Sequence, residues 1–207
     1  MLVNMEIQKH LGYVKCFIVV FCLFSFVSCE QAEKKTDKSV NPTIETILSR
    51  KSVRKYTQRP VEKERLELLV RAGMAAPSSR DRRPWEFVVV TDRALLDKLG
   101  DGLPLARMLK ETNQAIIVCG DTVKSSNSWF LDCSTAAQNI LLAAESMGLG
   151  AVWTAAYPYQ ERVDVIKEVV GLPERIIPLT VIPIGYPTGV EKTKDKYNPQ
   201  QVHYNGW

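Results

Sequence analysis

Residues 130–154 read FLDCSTAAQNILLAAESMGLGAVWT, and this stretch decides the class of fold. Cys133, Ala137, Ile140, Leu141, Ala144 and Met147 recur at three- and four-residue steps, the spacing of a helix with one apolar stripe. The pattern predicts a helix over 130–147. Gly148 ends it, because glycine adopts the left-handed backbone that a helix C-terminus favours. Two residues later, 150–154 is short, apolar and predicts a buried strand. Outward toward the C-terminus, a helix is predicted over 160–170, closed by Gly171-Leu172-Pro173, and a strand over 179–184. Outward toward the N-terminus, strands are predicted over 115–119 and over 85–90 (WEFVVV), with a short helix at 92–99 and an irregular or helical stretch at 100–113. A helix at 62–75, apolar along Leu66, Leu69, Val70 and Met74, stops before Pro77. Asn41-Pro42 caps a short opening helix whose apolar side is Ile44, Ile47 and Leu48. Helices thus alternate with four short apolar strands, which implies one sheet covered on both faces. Periodicity gives neither strand order nor strand direction.

The chain has 207 residues, suited to one domain, and a formal charge of +4 whose basic residues are scattered. No Lys/Arg tract is long enough to line a nucleic-acid groove, so no nucleic-acid partner is expected. The first residues differ from the rest. Lys9, His10 and Lys15 precede an apolar run at 16–27 (CFIVVFCLFSFV), too short for a spanning helix and suited to a signal-peptide core. Ser28-Cys29 and a polar stretch follow, similar to a bacterial lipoprotein cleavage site with Cys29 as the lipid carrier, although Phe26 stands where Leu is usual. An uncleaved anchor or a later start codon is the alternative. The expected organisation is a signal over 1–28, a polar tether over 29–41 and a folded domain over 42–207, exported and held to an envelope membrane only through the lipid, or cytoplasmic under the alternative. Cys119 and Cys133 fall on apolar elements and read as core thiols. His203, the only histidine outside the leader, reads as structural, and no His/Cys cluster suggests a metal.

Four connecting segments stand out. Arg50-Lys51-Ser52-Val53-Arg54-Lys55-Tyr56 follows the opening helix. On an extended backbone Arg50, Ser52 and Arg54 share one side, which makes either a receptor for an anionic oxygen group or a solvated basic face. Residues 75–85 (AAPSSRDRRPW) lead into the first strand. Residues 148–158 and Pro183-Ile184-Gly185-Tyr186-Pro187 close two others. The tail from Tyr186 is long, polar and aromatic-ended. A stretch of that length without apolar period calls for an explanation, and wrapping a partner subunit supplies one.

Taken in order, these segments resemble the FMN-dependent nitroreductase family over essentially all of 41–207. The resemblance rests on R-x-S-x-R-x-Y at 50–56, A-P-S…P-W at 76–85, A-A-Q-N-x-L-L-A-A-E-x-x-G-L-G at 136–150 and G-Y-P at 185–187. It implies an α+β fold with a central mixed sheet, helices on both faces, and a C-terminal tail wrapping the partner of a homodimer with two FMN sites at the interface. By position, Arg50, Lys51 and Ser52 would hold the FMN phosphate and Arg54 the flavin's pyrimidine edge. Lys192 and Lys194 would also meet the phosphate, with Lys196 as a rival. Pro77, Ser78 and Ser79 would line the ring from the other subunit. Trp153, Thr154 and Ala155 would lie beside it, the Ala155 N–H near flavin N5. Asp81 and Arg83 replace the family's usual amides. Either they face the flavin as acceptor and donor, or they pair with each other. No catalytic side chain is implied, because the flavin carries the hydride. The expected cycle is ping-pong: NADH or NADPH reduces the flavin and a small nitroaromatic, quinone or similar acceptor reoxidises it. The absence of Gly-x-Gly-x-x-Gly agrees with a nicotinamide that visits rather than stays. An exported FMN-binding electron carrier or sensor without nicotinamide-driven turnover is the other reading.

The leader reading has a direct check. Cys29→Ser should move the protein from the membrane fraction to the soluble fraction and remove incorporated fatty acid; unchanged fractionation refutes Cys29 as the anchor.

Overall fold

The computed structural model describes residues 41–207, so the expected signal and all of the tether except residue 41 lie outside the described residues. Five helices and five strands follow in order: α1 Pro42–Ser49, α2 Lys63–Met74, β1 Trp85–Val90, α3 Arg93–Gly102, β2 Gln114–Asp121, α4 Trp129–Ser146, β3 Gly150–Ala151, β4 Thr154–Ala155, α5 Gln160–Val170 and β5 Ile176–Gly185. Single 3-10 turns sit at Ser79–Asp81, Arg107–Lys110 and Pro199–Gln201.

The sheet runs β1-β2-β5-β3, with β4 also on β5. The α+β class and the two helical layers are as expected. Strand direction is simpler than the expected mixed sheet, since all four described ladders are antiparallel. Alternation along β2 sorts the core. Ile116 and Val118 pack with Leu66 and Leu69 of α2 and Ala137 and Ile140 of α4. Ala115, Ile117 and Cys119 pack with Leu96 and Leu99 of α3 and Val163 and Ile166 of α5. Every residue of β2 is buried, which is why it reads as an unbroken apolar run.

The predicted third strand is present but notched. β3 and β4 pair with β5 in one register, Gly150 facing Gly185, Ala151 Ile184, Thr154 Val181 and Ala155 Thr180. That register puts Pro183 opposite Val152, and proline has no N–H to donate to a ladder. Val152 and Trp153 therefore leave the pairing. β5 also starts earlier than predicted and runs through Pro178, which sits where the β2–β5 register shifts.

Helix ends follow their local chemistry. Asn41 Oδ1 accepts from the Thr43 N–H at 2.8 Å, with Pro42 in the first turn. Past α4, Gly148 at φ 69° lets its own N–H reach the Glu145 carbonyl at 3.0 Å and the Leu149 N–H reach Ala144 at 2.8 Å. This double bond pattern ends the helix cleanly and buries Leu149. α1 buries none of its residues, and Ile44, Ile47 and Leu48 stand exposed. Met74 is exposed too, while Gly73 takes the buried place on α2. Cys119 and Cys133 are both buried and free, and the Cys133 thiol donates to the Cys119 carbonyl. Burial pushes the Cys119 thiol up to about 12.

One glycine matters beyond the helix ends. A Cβ on Gly150 would stand 2.5 Å from Cγ1 of Val53, a residue 1% exposed. Gly150→Ala should therefore cost about 1–3 kcal/mol through forced repacking, read as a lower urea midpoint at unchanged slope.

Candidate functional site

The basic segment after α1 is held against the sheet by its one apolar member. Val53 is buried on Gly150, and its N–H donates to the Ala151 carbonyl at 3.0 Å. Tyr56 is buried beside Gly185, and its hydroxyl donates to the Val53 carbonyl at 2.6 Å. Burial, then the nearby Glu191 charge, lifts the Tyr56 phenol far above its ordinary range. Tyr56 also bridges to Pro187, and the Thr57 N–H donates to Tyr186 at 2.8 Å. With Val53 and Tyr56 turned inward, the polar residues beside them are left less buried.

Those residues form one wall of a cleft of about 330 Å³, made by Arg50, Lys51, Ser52 and Arg54. The tail forms the other wall with Glu191, Lys192, Lys194 and Lys196. Six of the fourteen expected site residues thus meet in one place, and Lys196 joins them rather than displacing Lys192 or Lys194. The basic face is concave. Lys51 is the exception in charge: its Nζ pairs with Glu145 of α4 at 2.8 Å, and both side chains are mostly buried. Glu191 enters unannounced by any sequence pattern. Its Oε1 accepts from the N–H groups of Arg54 and Lys55 at 2.8 and 3.1 Å. Burial alone would raise its pKa; the backbone donors of Arg54, Glu191 and Lys55, with the Lys55 charge, outweigh burial and hold it low.

The residues at 77–83 do not line that cleft. They form a loop at the start of α4 in which Arg80, Asp81 and Arg83 all have φ near 50°. Three non-glycine residues in the left-handed region cost energy, and such conformations persist only where the surroundings over-determine them. Asp132, 6% exposed, supplies that restraint by accepting from the Ser79 N–H at 2.8 Å. Ser78 Oγ accepts from the Arg83 N–H at 3.0 Å, and the Thr135 hydroxyl donates to the Pro77 carbonyl. Of the two readings of Asp81 and Arg83, the structure has them paired with each other, Arg83 donating from Nε to Oδ1 at 2.8 Å and from a second nitrogen to Oδ2. That hydrogen bond lowers the Asp81 pKa and raises that of Arg83.

The third group, Trp153, Thr154 and Ala155, lies on and beside β4. Trp153 is half-buried against the core. Thr154 is buried, its hydroxyl donating to the Val181 carbonyl at 2.6 Å, so its side chain is engaged inside the sheet. The Ala155 carbonyl accepts from Arg162 at 3.1 Å, and that guanidinium stacks over the Tyr159 ring. Asp132, Glu145, Glu191 and Arg162 are the supporting residues that sequence reasoning missed. The partners of the three carboxylates lie far along the chain, and that of Arg162 lies seven residues back across a turn.

The Nitroreductase family model matches residues 47–120 and 108–186. A provisionally named NADH dehydrogenase/NAD(P)H nitroreductase of Methanothermobacter thermautotrophicus is 45% identical over 166 residues, 79% of this chain and 87% of its own. A crystal structure of a provisionally named protein of the same kind from Parabacteroides distasonis superimposes with TM-score 0.80 at 68% identity, covering 81% of this chain and all of that one. An FMN-dependent nitroreductase from Clostridium difficile superimposes with TM-score 0.74 at 31% identity, covering 78% of this chain and 98% of that one. The chain belongs to the nitroreductase family.

Asp132→Ala removes the acceptor for the Ser79 N–H. A buried donor left without a partner costs about 1–3 kcal/mol, so the denaturation midpoint should fall. Trypsin should also cut faster after Arg80 and Arg82; unchanged cleavage would show that the loop does not depend on Asp132.

Proposed function

We propose that this protein is an FMN-dependent NAD(P)H oxidoreductase that reduces a small nitroaromatic, quinone or similar acceptor by a ping-pong, two-electron cycle. The observation that carries this reading is the cleft between the basic turn and the tail, in a chain whose relatives include an FMN-dependent nitroreductase. Its donor set fits a phosphate monoester. Guanidinium forks bind phosphate oxygens two at a time, the tail lysines add point charges, and the Ser52 hydroxyl adds a neutral donor.

Arg50, Ser52, Lys192 and Lys194 are the residues we assign to the phosphate, with Lys196 at the margin. Lys51, held by Glu145, contributes its charge from the side. Arg54 is assigned to stabilising negative charge on the reduced ring, an electrostatic role that needs a fixed cation near the reacting group. Trp153 and the Ala155 peptide are assigned to the ring's surroundings, where Arg162 and the Thr154–Val181 bond hold the backbone in place. Bound FMN supplies the hydride chemistry, which no side chain of this site could perform.

The remaining assigned residues, at 77–83, stand apart from the cleft, and we assign them to the ring bound by a second subunit. The uncovered apolar side of α1, together with Tyr197, Tyr204 and Trp207 exposed along the tail, supports a homodimer. Exposed apolar patches of this kind mark association surfaces. Residues 16–29 support export and a lipid anchor.

Purified protein should be yellow, and NADH or NADPH should bleach it under anaerobic conditions. Arg50→Ala with Arg54→Ala removes two charge-assisted contacts, so FMN affinity should fall by about 100-fold or more. Colourless wild-type protein that takes up no added FMN rejects the reading.

A further inference from the structure

The cleft poses an electrostatic problem of its own. One wall carries Arg50 and Arg54, the other Lys192, Lys194 and Lys196. The two walls come from opposite ends of the described chain, and like charges at this spacing repel unless something opposes them. In the absence of an anionic ligand, the contacts between the tail and the turn must offset that repulsion.

We propose that Glu191 is a positioning residue that straps the tail to the basic turn and so assembles the anion site before its ligand arrives. The inference rests on the FMN reading for the ligand's identity but not for the strap itself. Glu191 Oε1 takes two successive backbone donors of the turn, Arg54 N–H and Lys55 N–H. Two residues on, the Thr193 hydroxyl donates to the Ser49 carbonyl at 2.9 Å. On the other side of Glu191, the Thr188 N–H donates to Lys55 at 3.2 Å. Glu191 and Thr193 therefore hold the turn and the end of α1, while Glu191 shares the cleft wall with Lys192, Lys194 and Lys196.

The chemistry of position 191 follows from these contacts. A carboxylate satisfies two neighbouring N–H groups with one oxygen and sets a negative charge between two positive walls. It occupies backbone donors rather than the guanidinium groups, so the arginines stay available to a ligand. Preassembly of this kind strengthens binding by removing an ordering cost from the binding step. Glu191 is therefore expected to matter for ligands that use both walls and to be indifferent for those that do not.

The test uses the full mature chain, FMN and riboflavin, which share a ring and differ in the phosphate. Glu191→Ala should accelerate hydrogen exchange at the Arg54 and Lys55 amides, read by NMR. It should weaken FMN about tenfold, the scale of one lost charge-assisted hydrogen bond, and leave riboflavin affinity within about twofold. Glu191→Gln keeps an acceptor oxygen and should recover most of the FMN affinity. Thr193→Val should give a smaller loss of the same sign. Parallel loss of FMN and riboflavin overturns the proposal, because it marks a general structural role. Unchanged amide exchange overturns it as well. If wild-type protein binds no FMN, the oxidoreductase reading fails, and inorganic phosphate becomes the probe of the strap. A phosphate-induced rise in Tm that is present in wild type and lost in Glu191→Ala then sustains it. Equal responses, including none in either, overturn it.

Discussion

A single buried valine determines where the charged chemistry of this protein sits. Val53 rests on Gly150 with no room for a Cβ between them, and its N–H is tied to the Ala151 carbonyl. This contact seats an otherwise polar segment on the sheet. Everything built on that segment depends on it: the outward turn of Arg50, Ser52 and Arg54, the approach of the tail and the concavity between them. The position needs an apolar, β-branched residue on one side and a glycine on the other, because a close backbone approach tolerates no side chain there. Tyr56 repeats the arrangement one step further on, against Gly185. Two inward anchors three residues apart give the basic stretch an inner and an outer side.

Much of the fold could be read from the residues alone. The apolar stripe from Cys133 to Ala144 and the left-handed Gly148 specified α4 and its end, and the β-branched runs specified β1 and β2. Strand direction could not be read, because a fully buried strand looks the same whichever way its neighbour runs. The notch at Val152 and Trp153 was hidden for another reason: its cause, Pro183, lies in a different strand and acts only through the register. The candidate site divides in the same way. Local motifs pointed to Arg50, Ser52, Arg54 and the tail lysines. Whether Asp81 and Arg83 would face a flavin or each other could not be read, because the loop's three left-handed backbone angles are not encoded in composition. Glu191 sits in an aperiodic tail between Val190 and Lys192 and carried no signal, since its importance comes from two N–H groups far upstream.

The acidic residues around the basic turn divide the work between them. Glu145 neutralises Lys51 from behind, on the buried side of the turn, and Glu191 binds backbone rather than side chains. Neither takes up Arg50 or Arg54. The cationic face is thus supported by carboxylates without being cancelled by them, a common requirement where a protein must hold positive charge ready in a partly desolvated place. The loop at 77–83 makes the opposite choice. There Asp81 and Arg83 neutralise each other in solvent, and a backbone restraint from Asp132 fixes the loop's shape.

The proline that interrupts β5's partner has a mechanical side. A sheet transmits stiffness rung by rung, and the missing rung opposite Pro183 falls between two intact pairings of identical register. Val152 and Trp153 thus stand outside the ladder to β5, while Val152 stays buried and Trp153 packs against the core. An imino acid in the facing strand is enough to open such a gap in a ladder that keeps its register on either side.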